Sequence, residues 1–207
     1  TDAIDNSAGV DCSDHEVNIK VLVDAVVADG EMTGKQRDRL LVEMTDEVGE
    51  LVLRDNYLQN QALSALRQRA PALLQAHARY MRNLERGGHL NREVECLPDD
   101  EALADREAAG EGLTRPELSV LLAYAKMDLY EKFLSSDLAN SKGLLTDLEK
   151  YFPRPLRRRQ GAAILRHRLR REIIATIMAN SIVNRVGITF VHDVIEDTGA
   201  SVEAIAR

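Results

Sequence analysis

The sequence contains no Trp, three Phe and five Tyr, and aromatics make up only 4% of its 207 residues. That scarcity, beside abundant Leu, Ala, Glu and Arg, argues against a sheet protein and for helices. Cysteine is nearly absent too. Cys12 and Cys96 lie far apart with no CxxC spacing, so the expectation is two free thiols in a reducing cytoplasm, not a disulfide or metal pair. No run of 18 apolar residues exists, so no membrane-spanning helix is expected. A basic-then-apolar leader is also lacking, so no signal peptide is visible.

Several chemistries lack their signatures. There is no Gly-rich phosphate loop, no GxGxxG dinucleotide fingerprint and no nucleophile-elbow pattern with a Ser/His/Asp set. Asp11-Cys12-Ser13-Asp14-His15-Glu16 packs ligand types closely, but no second His follows at four residues, so no metal site is expected. His77, His89, His167 and His192 are scattered and read as packing or surface residues.

What is present is helical periodicity. Apolar residues recur at three and four, and the expected fold is all-α, a bundle of about seven to nine helices. Ser13-x-x-Glu16 has the form of a capping box opening a helix over 14–28, with Val17, Val21, Ala25 and Val26 along its stripe. Thr33 is expected to open a short helix to about Met44. Thr45 reads as the cap of another, running to about Arg69 with a stripe interrupted only by Asp55. Pro71 should start or kink the next, which Gly87-Gly88 stops. Thr114-x-x-Glu117, with Pro116 in the first turn, is a second capping box, before a stripe of Leu118, Leu121, Leu122, Ala125, Leu129 and Phe133. After the rigid Tyr151–Pro155 break, one long pattern is expected through Ala162, Leu165, Leu169, Ile173 and Ile177. Gly187 ends it and Thr189 caps a last short helix.

Charge is uneven. The formal charge of −7 divides into −12 over residues 1–150 and +5 over 151–207, where ten Arg face five acids. No aromatic between Phe152 and Phe190 is available to stack a base, so nucleic acid is not the expected partner. Arg166, Arg170 and Arg171 fall off the apolar stripe and describe a solvated face, which pairs with the acidic remainder or with another part of a longer chain. The chain begins at Thr1 and ends one turn into a helix capped by Ser201, which reads as a segment of something longer.

One short stretch, Asn6 to Glu16, invites a functional reading. Small residues at 7–9 let the backbone approach a ligand, Asn6 offers a donor and an acceptor, and Ser13 at a helix N-terminus would sit where free N–H groups attract a carboxylate. On pattern alone, an ordinary loop and cap with no ligand is the favoured reading. In this stretch Asn6, Gly9, Val10, Ser13 and Glu16 fall in register with the Asn-Ala-Gly-Gly-Val…Ser…Glu loop of the glutamate dehydrogenases, with Ser7 and Ala8 in place of the family's Ala-Gly. The stretches DNSAGVDCSDHEVNIK (5–20), MTDEVGELVLRDNY (44–57), GLTRPELSVLLAYAK (112–126), YFPRPLR (151–157) and HRLRREIIATIMANSIVNRVG (167–187) resemble the carboxy-terminal region of the large bacterial NAD-specific members. The resemblance implies a fragment of a larger α/β enzyme that converts L-glutamate to 2-oxoglutarate with NAD. Residues 1–18 would be an active-site loop continuing from a dinucleotide-binding domain upstream, and 19–207 a helical domain. It carries a cofactor-side role to Asn6 and a substrate-carboxylate role to Ser13. The catalytic Lys and Asp fall upstream, so no catalytic residue is assigned here and the isolated piece is expected to be inactive. A cytoplasmic, homo-oligomeric parent is implied. The other reading is a helical regulatory or assembly module with no catalytic contact.

Overall fold

A computed structural model describes residues 7–206, and every regular element among them is helical. Among the described residues there are nine α-helices: α1 Ser7–Ala28, α2 Gly34–Arg86, α3 Asp100–Ala108, α4 Arg115–Ser135, α5 Leu145–Tyr151, α6 Arg154–Leu165, α7 Arg170–Val186, α8 Phe190–Thr198 and α9 Val202–Ile205. Two short 3₁₀ turns join α4 to α5. The expected all-helical bundle is therefore present, but several boundaries fall elsewhere.

Helix α1 begins six residues before Ser13. The expected Ser13/Glu16 capping box is not formed, because Ser13 lies within the helix. Residues 7–13, expected as a loop leading to the cap, are already helical, and α1 runs unbroken on through residues 18 and 19. The buried face is also displaced from the expected one. His15, Ile19, Leu22, Val23 and Val26 point inward, whereas Val17 is half exposed.

The expected breaks before Thr45 and at Pro71 do not occur either. Helix α2 runs unbroken for 53 residues, about 80 Å at 1.5 Å per residue. It opens on a capping box: Gln36 N–H donates to Thr33 Oγ1 at 3.3 Å and Thr33 N–H donates to Gln36 Oε1 at 2.8 Å. The Thr45 hydroxyl instead donates to the Leu41 carbonyl one turn back, which a mid-helix Thr can do without ending the helix. Pro71 is carried inside, leaving the Arg67 carbonyl without its usual intrahelical donor. The helix ends at Gly87, and Gly88 takes φ +73, a left-handed turn that suits glycine.

Helix α2 packs on α1, α4, α6 and α7. The core is continuous: Leu40 and Met44 join Leu63, Leu74, Tyr80 and Met81 of α2, the expected α4 stripe, and Ile173, Ile174 and Val183 of α7. The Thr114 capping box forms as expected, with Thr114 N–H donating to Glu117 Oε2 at 2.7 Å. Glu117 also accepts two bonds from Arg106 of α3, at 2.7 and 2.8 Å. That forked pairing fixes α3 against the start of α4.

The long pattern expected through Leu165 and Leu169 is two helices, not one. Residues 166–169 form a turn; Ile173 is buried as expected, but Ile164 is buried in place of Ala162 and Leu169. His167 stabilises the break. Its Nδ1 accepts the Leu169 N–H at 3.0 Å, so its Nε2 carries the proton and donates to the Asn18 carbonyl at 3.0 Å. The basic segment does meet the acidic remainder: Arg154 reaches Glu47 at 3.0 Å and Arg159 reaches Glu43 at 2.9 Å. Arg171 departs from the expected solvated face. It is half-buried and donates to the carbonyls of Leu134 and Ser136, placing a cation at the C-terminus of α4.

Candidate functional site

Asn6 lies outside the described residues. Ser13 occupies the exposed side of α1. Ser13 stands well inside α1 (Ser7–Ala28), where backbone amides are paired one turn back, and not at a helix N-terminus. Ser13 therefore offers a hydroxyl on a helix face, not a cap. Val10 and Val17 sit three residues before and four after it on that face and are 52% and 50% exposed. Cys12 and Cys96 are both free and exposed.

The opposite face of α1 builds a denser arrangement. Asp11 and His15, one turn apart, face Asp55 of α2, and one donor atom from each lies within 4.8 Å of the others. The His15 ring is 2% exposed and stacks on Tyr151 of α5, with ring centroids 4.3 Å apart. Tyr151 is held by Asn18, whose amide donates to the phenol oxygen at 2.8 Å. Lys126 of α4 reaches the same region and donates to Gln59 Oε1 at 2.7 Å, one turn beyond Asp55 on α2.

Desolvation dominates the electrostatics here. Burial pushes the His15 imidazole down to about 4, so the ring is neutral. Asp11 is pushed up to about 7 by burial and by the carboxylates of Asp55 and Asp14, against the pull of Lys126. Burial brings Lys126 down to about 8, opposed by the same two acids, Asp55 and Asp11. His15 Nε2 stands 3.8 Å from Asp11 Oδ1, beyond hydrogen-bond reach. Among the described residues, neither ring nitrogen of His15 has a hydrogen-bond partner, nor has the buried Asp11 Oδ2.

The structure thus separates Ser13 from its charged neighbours by the width of one helix. Sequence reasoning did not assemble Asp55, Lys126 and Tyr151 with His15. The available signal was Asp55 itself, the one charge interrupting an otherwise apolar stripe.

Two family models match the chain. "Bacterial NAD-glutamate dehydrogenase, catalytic domain" covers residues 1–66, and "Glutamate dehydrogenase, C-terminal" covers 110–207. Asp11, His15 and Asp55 fall in the first region and Lys126 and Tyr151 in the second, so the cluster forms where the two regions pack. The chain is 53% identical, over its whole length, to the NAD-specific glutamate dehydrogenase of Pseudomonas aeruginosa. It is 46% identical to that of Halomonas elongata, again over its whole length, and 45% to that of Mycobacterium tuberculosis over 97% of the chain. It spans 12–13% of the length of these relatives. No solved structure matches it. With both matched regions in register along most of its length, the chain belongs to the bacterial NAD-specific glutamate dehydrogenases and carries part of their catalytic domain together with their C-terminal region.

Proposed function

We propose that this chain is a substrate-facing and scaffolding part of an enzyme that oxidatively deaminates L-glutamate. In that reaction the Cα hydride passes to NAD⁺, and water hydrolyses the resulting imine to give 2-oxoglutarate, ammonium and NADH. The observation that carries the reading is identity of 45–53% to NAD-specific glutamate dehydrogenases over essentially the whole chain, the Asn6–Glu16 stretch included. In this reading Ser13 donates to the side-chain carboxylate of glutamate, Asn6 lies beside the nicotinamide, and the dinucleotide is bound mainly by the rest of the protein. The exposed hydroxyl of Ser13 between Val10 and Val17 suits a face that other parts of the enzyme cover. Helices α2 and α6 hold α1 in place from behind, with Tyr151 of α5 stacked on His15. The full protein works in the cytoplasm as a homo-oligomer.

Ser13→Ala in the full-length enzyme is expected to raise the KM for glutamate about tenfold, the loss of one hydrogen bond to a charged group. The KM for NAD⁺ should not move. Ala at an exposed helical position favours the helix, so thermal stability is expected to hold, and a KM change without a stability change isolates the binding role. An unchanged KM for glutamate refutes the assignment. The 207-residue chain alone is expected to produce no NADH from glutamate and NAD⁺, and turnover by it would refute the division of labour.

A further inference from the structure

We infer that Asp11, His15 and Asp55 form a binding site for a divalent transition-metal ion of the zinc class. Asp11 and His15 are four apart on α1, so both project from one face, and Asp55 completes the set from α2. Within residues 11–16 no third donor stands at ligand spacing, whereas the packing of two helices supplies one from 40 residues further along the chain.

Two observations support the inference independently of charge. The donor atoms lie within 4.8 Å of one another, and the Asp11–His15 pair is already at 3.8 Å. A tetrahedral ion with bonds of about 2.0–2.2 Å needs donors about 3.3–3.6 Å apart, a closure that side-chain rotation supplies. The His15 imidazole is 2% exposed with both nitrogens unpartnered, and Asp11 Oδ2 is buried and unpartnered as well. Buried polar atoms of this kind ordinarily have partners, and an ion satisfies two of them at once.

The donor set selects the metal class. One imidazole nitrogen with two carboxylates is too nitrogen-rich for calcium or magnesium, which take oxygen ligands. It suits a borderline ion, and zinc outranks cobalt and manganese at such sites. Three protein donors leave one position open to water. An ion here ties the second turn of α1 to the middle of α2 from the face opposite Ser13.

The test is direct zinc and cobalt binding by the 207-residue chain in a Cys12→Ser, Cys96→Ser background, which removes both exposed thiols. After chelator dialysis, calorimetric titration with zinc chloride is expected to show one equivalent bound at micromolar affinity or tighter, with a Tm that rises with zinc concentration. Cobalt should give visible d–d absorption at the same stoichiometry. Asp55→Asn, at an exposed position, and His15→Phe, which keeps the stack on Tyr151, are each expected to weaken binding at least tenfold with unchanged helical circular dichroism. Absence of saturable binding overturns the proposal. So does binding that survives Asp55→Asn, because it then resides elsewhere, for example at His192, Asp193 and Glu196.

Discussion

Gly112→Ala lowers the stability of the fold by about 3 kcal/mol, the upper end of what an overpacked site costs. The expectation follows from where the added methyl would lie. A Cβ at Gly112 would stand 2.2 Å from the Ala70 carbonyl carbon, 2.4 Å from its oxygen and 2.5 Å from the Pro71 nitrogen. These are backbone atoms of α2, so no side chain can swing aside, and either the 110–114 connection or the helix must move. Both are constrained: Leu113, beside Gly112, is fully buried, and Ala70 is in the core. For a chain of this size the loss corresponds to a fall in Tm of roughly 6–12 °C. Gly49→Ala is the matched comparison. Gly49 is an exposed mid-helix residue of α2 with nothing near its Cβ position, so the same substitution is expected to stabilise by about 0.5–1 kcal/mol. Thermal unfolding of the two variants, followed by circular dichroism, should move in opposite directions. A Gly112→Ala protein as stable as the parent would mean that the loop does not rest on the helix backbone.

The contrast between two capping boxes shows what local sequence can decide. Thr114-x-x-Glu117 and Ser13-x-x-Glu16 have the same form, yet only the first caps a helix. Thr114 is preceded by Gly110 and Gly112, which stop whatever comes before. Ser13 is preceded by Ala8, Gly9 and Val10, which a helix accepts, and α1 runs through them. Thr45 is a similar case: a mid-helix Thr satisfies its hydroxyl on the Leu41 carbonyl, so its presence carries no stop signal. The stripe on α4 was legible because a long, strongly periodic helix fixes its own phase. That on α1 is not, since the spacing turns Val17 inward whereas His15 and Ile19 define the buried side. The break between α6 and α7 depends on His167 bonding to Asn18, a contact across 149 positions that no window along the chain contains. The cluster at Asp11, His15, Asp55 and Lys126 has the same origin. Its members come from three helices, and only tertiary packing brings them together. Ser13 could be singled out by family resemblance, but its place on an exposed helix face required the fold.

His77 sets a pH limit on stability in mild acid. It lies on α2 with no measurable exposure, and neither ring nitrogen has a hydrogen-bond partner. Burial pushes the imidazole down to about 4, against a smaller upward pull from the Asp193 carboxylate. The unfolded chain binds a proton on this residue below about 6.5, whereas the folded chain does so only below about 4. Between those values the unfolded state holds more protons, so stability falls as pH falls, and the contribution is fully present only above 6.5. A displacement of about 2.5 pH units corresponds to about 3 kcal/mol. Other groups act in the same range, among them His15 and Asp11. His15, also near 4, adds loss of the same sign. Asp11, pushed up to about 7, has the opposite sign, because the folded state gains a proton there before the unfolded state does. The His77 contribution is therefore read as a difference. His77→Leu keeps a similar volume and removes the titrating group. Urea denaturation of both proteins at pH 7 should give stabilities within about 1.5 kcal/mol of each other. From pH 6.5 to pH 4 the variant is expected to gain about 3 kcal/mol relative to the parent, with Asp11 and His15 cancelling because they are common to both. A gap that stays constant across that window would mean that His77 is protonated in the folded state, contrary to its burial and lack of partners.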